Sequence, residues 1–148
     1  MEKGGQLPQV PQQPFRSTDE APNEEFYRTP RLVIQLYREF FPQGGEILDL
    51  MSSWVSHLPP EIEYRRVIGL DMNEVDLRRN GRLDSYLIQK LNTDPHLSFG
   101  NADPDVVELC VSIDYLSRPV EALHEVRGVL KVGTPLLITF SDRCPQPE

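Results

Sequence analysis

Two short apolar runs, each with a carboxylate at or next to its end, lie in the middle of the chain. They are Glu46-Ile47-Leu48-Asp49-Leu50 and Val67-Ile68-Gly69-Leu70-Asp71, and a polar, helix-compatible stretch separates them. A near-continuous apolar run of this length is typical of a strand that is covered on both faces, as in a parallel sheet. The pattern therefore predicts two buried strands with acidic residues at their carboxyl ends.

A helix is predicted before the first strand, over residues 31–41. Its apolar side chains recur at helical spacing and form one stripe, made of Leu32, Leu36 and Phe40 with Val33, Tyr37 and Phe41. Pro30 fits the first helical turn, which tolerates proline, and Thr29 is a suitable N-cap. The Pro-Gln-Gly-Gly sequence at 42–45 then ends the helix.

Polar residues after the two apolar runs predict two short helices. Ser52 or Ser53 is placed to cap a helix within residues 51–58, which Pro59 and Pro60 would stop. Asn73 is placed to cap a second helix over residues 74–79. The Asn80-Gly81 pair that follows is suited to a left-handed turn.

Three further strands are predicted, over residues 86–91, 105–111 and 134–140. A helix opens at Pro119 before the last of them, with Val120, Leu123, Val126 and Leu130 at helical spacing and Gly133 after its last turn. Strands thus alternate with helices or short connectors along the chain. This order predicts an α/β fold with a doubly wound, Rossmann-like, mostly parallel sheet and right-handed crossovers.

The first 25 residues have a different composition from the rest. Prolines and glutamines dominate there, with few apolar side chains to offset the entropy of ordering, so we expect a disordered tail over residues 1–25. One α/β domain is expected over residues 26–148. Cys110 lies in an apolar run and Cys144 in a Pro-rich end, with no spacing typical of a metal site, so we expect no metal.

The formal net charge of −8 argues against a nucleic-acid partner, because phosphate binding relies on clustered Lys and Arg side chains. The sequence has no apolar stretch of the ~20 residues that a membrane span needs, and no apolar signal core follows Lys3. We therefore expect a soluble, cytoplasmic protein that does not associate with membranes.

The two acidic strand ends carry the chemical hypothesis. Asp71 follows Asp49 by about 22 positions, and an acidic residue at the end of the second strand typically binds the hydroxyls of an adenosine ribose. A dinucleotide also needs glycines after the first strand to admit its pyrophosphate, and the sequence 51–54 has none. S-adenosylmethionine carries no phosphate, so hydroxyls such as those of Ser52 and Ser53 suffice, with Asp49 near its ammonium.

Residues 45–141 resemble the class I S-adenosylmethionine-dependent methyltransferases, in particular the type 11 group. The resemblance rests on an ordered set of segments: Ile47-Leu48-Asp49-Leu50, Val67-Ile68-Gly69-Leu70-Asp71, Asp103-Pro104-Asp105-Val106-Val107 and Glu125-Val126-Arg127-Gly128-Val129-Leu130-Lys131-Val132-Gly133. The chain departs from the family pattern at Pro104, where an aromatic residue is usual, at Thr134, where a second glycine is usual, and at residues 51–54.

The resemblance implies S-adenosylmethionine as cofactor and a small-molecule or protein methyl acceptor of unknown identity. It implies that Asp49 and the loop of Met51, Ser52, Ser53 and Trp54 line the methionine end of the site. It also implies that Asp71 accepts bonds from the ribose and that Met72 flanks the adenine. Asn92 and Asp94 would lie near the adenine amine, and Ser112 would begin the segment, up to Tyr115, that faces the transferred methyl group.

Each of these residues has a purely structural alternative. Asp49 is also placed to cap a following helix, and Trp54 is a common packing residue. Asp114 and Tyr115 form either a catalytic pair or a solvated Asp beside a packed Tyr. The function has alternatives as well, namely a non-catalytic interaction domain on the same fold and a nicotinamide-binding domain, which the missing glycines disfavour.

The resemblance also implies a helix and two further strands after strand five. The sequence ends at Glu148, so we expect a shortened form, such as a splice variant or a fragment, that lacks the last strands of the methyltransferase fold. The apolar fifth strand would then form an exposed edge of the sheet. Exposed edges pair with other chains, so self-association through this edge is expected.

Overall fold

The computed structural model describes residues 24–97, 103–110 and 112–140, with side chains from residue 30 onward. Its elements are α1 (Glu24–Phe40), β1 (Glu46–Leu50), β2 (Arg66–Asp71), α2 (Glu74–Arg79), β3 (Ser85–Ile88), β4 (Val106–Cys110), α3 (Pro119–Val129) and β5 (Leu136–Thr139). A single 3₁₀ turn over Ile113–Tyr115 follows β4. The predicted tail lies outside the described residues except for Glu24 and Glu25, and Cys144 lies outside them as well.

The five strands form one parallel sheet in the order β3-β2-β1-β4-β5. This confirms the prediction of an α/β, Rossmann-like fold. The strand order reverses direction between β1 and β4, because chain sequence runs outward to β3 on one side and to β5 on the other. Ligands of open α/β sheets bind beyond the carboxyl ends of the strands at such a reversal.

Side-chain alternation along the strands sends apolar residues into two separate cores. One face of the sheet carries Leu48, Leu50, Ile68, Leu70, Val107 and Leu109, which pack with Ala122 and Val126 of α3. The opposite face carries Ile47, Val67, Tyr86 and Val106, which pack with Val33 and Tyr37 of α1 and with Phe41 directly after it. The central strands are therefore buried on both faces, as their apolar runs predicted.

Helix α1 differs from its prediction at the start and on one side. It begins at Glu24, so Thr29 is not its N-cap and Pro30 lies inside it rather than in the first turn. Of the predicted stripe, Val33, Tyr37 and Phe41 are buried, whereas Leu32 and Phe40 are largely exposed. The buried side chains lie four residues apart, so one narrow face of the helix is enough to cover the sheet.

Helix α2 matches its prediction in bounds and in its N-cap, because Asn73 Oδ1 accepts a hydrogen bond from the Val75 N–H at 3.1 Å. The prediction of a left-handed turn at Asn80-Gly81 is wrong. Asn80 has φ −77°, and Gly81 is not among the residues with positive φ. The amide side chain of Asn80 instead forms tertiary hydrogen bonds, which replace the turn as the reason for an asparagine at this position.

The predicted short helix within residues 51–58 is also wrong, because this segment is an irregular loop. Its serines cap no helix. The Ser52 hydroxyl donates to Asp49, and the Ser52 N–H donates to the carbonyl of Leu70 at 2.9 Å. β3 begins one residue earlier than predicted and ends three residues earlier. β4 begins one residue later than predicted, with Val111 outside the described residues, and β5 is shorter by two residues at its start and one at its end.

Candidate functional site

A cavity of about 450 Å³ opens at the carboxyl ends of β1, β2, β3 and β4. Its walls come from the segments that directly follow these strands. The lining residues are Met51, Ser52, Ser53, Asp71, Met72, Asp76, Gln89, Lys90, Leu91, Asn92, Cys110, Ser112, Tyr115 and Leu116. The parallel sheet thus brings together residues that are far apart in the chain, at the end of the sheet where the sequence predicted a ligand site.

The loop after β1 forms one wall through Met51, Ser52 and Ser53. Met51 has φ 55°, a left-handed conformation that is uncommon for residues other than glycine, and it turns the chain sharply off the end of the strand. The Ser52 hydroxyl donates to Asp49 Oδ2 at 2.7 Å. Asp49 therefore lies behind Ser52 and supports the loop from below, and it does not line the cavity.

Asp71 and Met72 form a second wall at the end of β2. The Asp71 carboxylate is partly buried and accepts a hydrogen bond from the Asn73 N–H at 3.2 Å. Partial burial raises the pKa of Asp71, while hydrogen bonds from the amides of Asn73 and Met72 oppose the rise. Asp71 thus presents a carboxylate to the cavity from a backbone position that the adjoining turn holds in place.

Asn92 lines the cavity, but its amide is engaged in a contact between loops. Its Nδ2 donates to the carbonyl of Tyr115 at 2.8 Å, and its Oδ1 accepts from the Ser117 N–H at 2.8 Å. Asn92 therefore joins the segment after β3 to the segment after β4, and it fixes the cavity wall through these two bonds.

Besides Asp49, two further residues of the predicted site do not line the cavity. Trp54 is 43% exposed on the loop after β1, beyond the lining residues. Asp94 forms a turn in which its Oδ1 accepts from the His96 N–H at 3.2 Å and its carbonyl accepts from Gln89. The remaining candidates, Met51, Ser52, Ser53, Asp71, Met72, Asn92 and Ser112, all line it.

Ser112 is buried at the end of the β4 segment, and its Oγ has no hydrogen-bond partner among the described residues. A buried hydroxyl without a partner costs free energy. Its position on the cavity wall makes it a group that a polar ligand atom would satisfy.

A second buried carboxyl lies beside Asp49. Glu108 of β4 is in register with Asp49 of β1, so both side chains point to the face of the sheet that α1 covers. Burial raises the pKa of Glu108 well above its usual value, and the charge of Asp49 raises it further. A hydrogen bond from the Tyr37 hydroxyl opposes the rise. Burial raises the pKa of Asp49 to about 7, against the hydrogen bond from Ser52.

Several residues of this site were not predicted from the sequence. The lining residues that had not been assigned to it are Asp76, Gln89, Lys90, Leu91, Cys110 and Leu116. Gln89 to Leu91 were assigned to a strand, which ends earlier, at Ile88. Glu108 had a usable signal, because it is the one charged residue within the apolar run at 106–110.

Within the described ranges, no group of three or more His, Cys, Asp or Glu side chains is arranged to hold a metal ion. No helix in the same ranges combines the length and apolar character needed to cross a bilayer.

The chain matches no protein-family model and no curated protein sequence. Its fold does match solved structures. The PH0226 protein of Pyrococcus horikoshii OT3 superposes with a TM-score of 0.64 at 23% identity, over 81% of this chain and 60% of that one. A SAM-dependent methyltransferase from Aquifex aeolicus gives 0.58 at 17% identity, over 80% and 69%.

A third match is the phosphoethanolamine N-methyltransferase 1 of Haemonchus contortus, in complex with phosphoethanolamine and S-adenosylhomocysteine. It gives a TM-score of 0.54 at 21% identity, over 73% of this chain and 24% of that one. The chain therefore spans less than two thirds of two of these three structures. The likeness shows that the chain shares the Rossmann-like fold of these structures.

Proposed function

We propose that the chain binds S-adenosylmethionine in the cavity at the carboxyl ends of β1 to β4 and acts in methyl transfer. The observation that carries this proposal is that Asp71 and the Met51–Ser53 loop line the same cavity, at the reversal of strand order. The fold shared with S-adenosylmethionine-dependent methyltransferases supports it, and does not favour a non-catalytic interaction domain. Membership in the type 11 group is part of the same proposal, and so is transfer of the methyl group to a small molecule or a protein.

The residues of the cavity fit this cofactor. Asp71 is placed to accept hydrogen bonds from the two ribose hydroxyls, as acidic residues at the end of a second strand do. Ser112 offers a buried Oγ that has no hydrogen-bond partner in the part of the chain that the structure describes, and Ser52 and Ser53 offer polar groups on the loop after β1.

The charges around the cavity favour a cationic ligand without phosphates. Asp71 and Asp76 line it, whereas Lys90 is the one cationic residue among the lining residues of the described chain. Opposite charges in a partly buried site attract more strongly than in bulk water. A dinucleotide pyrophosphate would need several backbone amides freed by glycines, and the sequence 51–54 contains none.

The protein's part in the reaction is positioning. When bound, S-adenosylmethionine would supply the electrophilic methyl group of its sulfonium: an acceptor oxygen, nitrogen or carbon attacks this methyl in line, the methyl–sulfur bond breaks, and S-adenosylhomocysteine leaves. Asp71 would hold the ribose and the loop after β1 the methionine part of the cofactor, and the segment from Ser112 to Tyr115 would border the side on which an acceptor approaches. Fixed orientation of this kind is a large part of such catalysis.

The test is calorimetric titration with S-adenosylhomocysteine. We expect saturable binding to the unaltered chain, and a loss of about 10- to 100-fold in affinity for Asp71→Ala, because hydrogen bonds to a charged group contribute about 1.5–3 kcal/mol. NAD⁺ serves as the control ligand and is expected to give no binding heat.

The matched control variant is Asp103→Ala. Asp103 is also an aspartate, but it forms an exposed ion pair with Lys131 at 2.7 Å and its N–H donates to Glu46 at the amino end of β1, away from the cavity. Its affinity for S-adenosylhomocysteine should equal that of the unaltered chain. The absence of binding heat in the unaltered chain, or equal losses in both variants, would contradict the proposal.

A further inference from the structure

The side chain of Asn80 connects helix α2 to the loop that forms the first wall of the cavity. Asn80 is 1% exposed and lies directly after α2. Its Nδ2 donates to the carbonyl of Ser53 at 2.8 Å and contacts the Ser52 Oγ at 3.4 Å. Its Oδ1 accepts from the Arg82 N–H at 3.0 Å, so the amide is fully engaged.

We propose that Asn80 is a positioning residue for the cofactor site. Its hydrogen bond to the Ser53 carbonyl sets the conformation of the Met51–Ser53 loop. This inference rests on the proposed function for its ligand. It concerns a residue that does not line the cavity and that acts on the cofactor only through Ser52 and Ser53.

The loop needs such support because its conformation is not favoured locally. Met51 is held at φ 55°, a left-handed conformation that costs free energy for any residue with a Cβ atom. A glycine would adopt it without cost, but the chain has none between Gly45 and Gly69. Tertiary hydrogen bonds must then stabilise the turn, and those from Ser52 to Leu70 and to Asp49 anchor only its first half.

Asn80 anchors the second half and ties it to a different wall. Helix α2 begins two residues after Met72 and contributes Asp76 to the cavity lining. A hydrogen bond from the end of this helix to Ser53 therefore connects the wall after β2 with the wall after β1. The wall after β2 would hold the ribose of the cofactor, and the wall after β1 would hold its methionine part. The relative placement of the two walls therefore determines the affinity for the cofactor.

The variants to compare are Asn80→Asp and Asn80→Ala. The aspartate keeps the size of the side chain and the acceptor for Arg82, but an ionised carboxylate donates no hydrogen bond and faces the Ser53 carbonyl. Alanine removes every polar contact. Val33→Ala is the control for a general loss of stability, because Val33 lies on α1 in the core cluster on the opposite face of the sheet from α3.

Two measurements decide the question. Trp54 is the one tryptophan of the chain and directly follows Ser53, so its fluorescence reports the order of the loop without any ligand. We expect both Asn80 variants to show increased acrylamide quenching and lower anisotropy of Trp54, and Val33→Ala to show neither. We expect the affinity for S-adenosylhomocysteine to fall about 5- to 30-fold, the equivalent of about 1–2 kcal/mol for the lost bond.

The pH dependence separates a lost donor from a lost volume. A protonated aspartic acid regains one O–H donor for the Ser53 carbonyl, so the affinity ratio between the unaltered chain and Asn80→Asp should shrink as pH falls from 8 to 5, whereas the ratio for Asn80→Ala should stay constant. Unchanged Trp54 signals and unchanged affinity in folded Asn80→Ala would overturn the inference. Failure of the unaltered chain to bind would overturn the proposed function, while the ligand-free Trp54 signals would still decide whether Asn80 positions the loop.

Discussion

A carboxyl group in the interior of a sheet destabilises the fold when it ionises, and the chain places two of them side by side. Asp49 and Glu108 are 6% and 2% exposed, and they are in register on neighbouring strands. Burial raises both pKa values most; the charge of Asp71 raises the pKa of Asp49 further, and the charge of Asp49 raises that of Glu108 further. The Tyr37 hydroxyl, the Cys110 thiol and Ser52 are the polar groups around the pair.

These pKa values predict a stability that falls as pH rises. Between the unfolded pKa near 4 and the folded pKa of about 7 for Asp49, the folded chain binds more protons than the unfolded chain, so the free energy of unfolding declines over this interval. The raised pKa of Glu108 adds a second contribution of the same sign to this decline. Urea unfolding at pH 5 to 9 measures it.

Glu108→Gln should flatten this decline and stabilise the protein at pH 8 by on the order of 2 kcal/mol, because the amide is neutral at every pH and has nearly the same shape. The exposed Glu39→Gln on α1 controls for the loss of one acidic side chain. A parallel decline in all three proteins would rule out Glu108 as the source.

At the scale of elements, Gly69 lets β2 pack closely against α2 and the segment that joins α2 to β3. A Cβ atom at this position would lie 2.5 Å from Leu83 Cδ1 and 3.3 Å from Leu77 Cδ2, and both leucines are buried. Gly69→Ala should therefore lower the free energy of unfolding by about 1–3 kcal/mol through overpacking.

Gly128→Ala is the matched control for this substitution. Its added Cβ meets no atom within 4 Å and lies on helix α3, where alanine is favoured over glycine by about 0.5–1 kcal/mol. Urea unfolding should show opposite signs for the two variants. Leu83→Val in the Gly69→Ala background should restore part of the loss, and a lack of coupling between the two sites would contradict the packing argument.

The elements that were predicted well from the sequence are those specified by residues close together in the chain, either a continuous apolar run or a local capping residue. The runs at 46–50 and 66–71 are apolar enough to define buried parallel strands, and the cap of α2 is a local signal at Asn73. The loop after β1 was mispredicted because its partners are distant. Ser52 bonds to Leu70, and Ser53 bonds to Asn80, and no local pattern encodes either contact.

The same distinction applies to the candidate site. The strand-end position of Asp71 follows from the pattern of one strand, so the sequence located it. Asn92 was assigned to the adenine, but its amide joins two loops through Tyr115 and Ser117, which only the folded chain brings together. Residues 89–91 were assigned to a strand and instead form a wall of the cavity.

At the scale of the whole molecule, β5 is the edge strand of the described sheet next to β4, and its residues Leu136–Thr139 carry no charge. Self-association through this edge stays a prediction. The cavity lies at the carboxyl ends of β1 to β4, and β5 contributes none of its lining residues.

The lining of the cavity runs from Met51 to Leu116 and comes from segments after four different strands, so an unfolded chain offers no such site. S-adenosylhomocysteine at 100 times its Kd should then raise the free energy of unfolding by about 2.7 kcal/mol and the melting temperature by about 5–10 °C. Differential scanning calorimetry measures this shift, and an unchanged melting temperature would contradict it. A bound cofactor would thus act as a noncovalent cross-link between four segments of backbone that separate when the sheet unfolds.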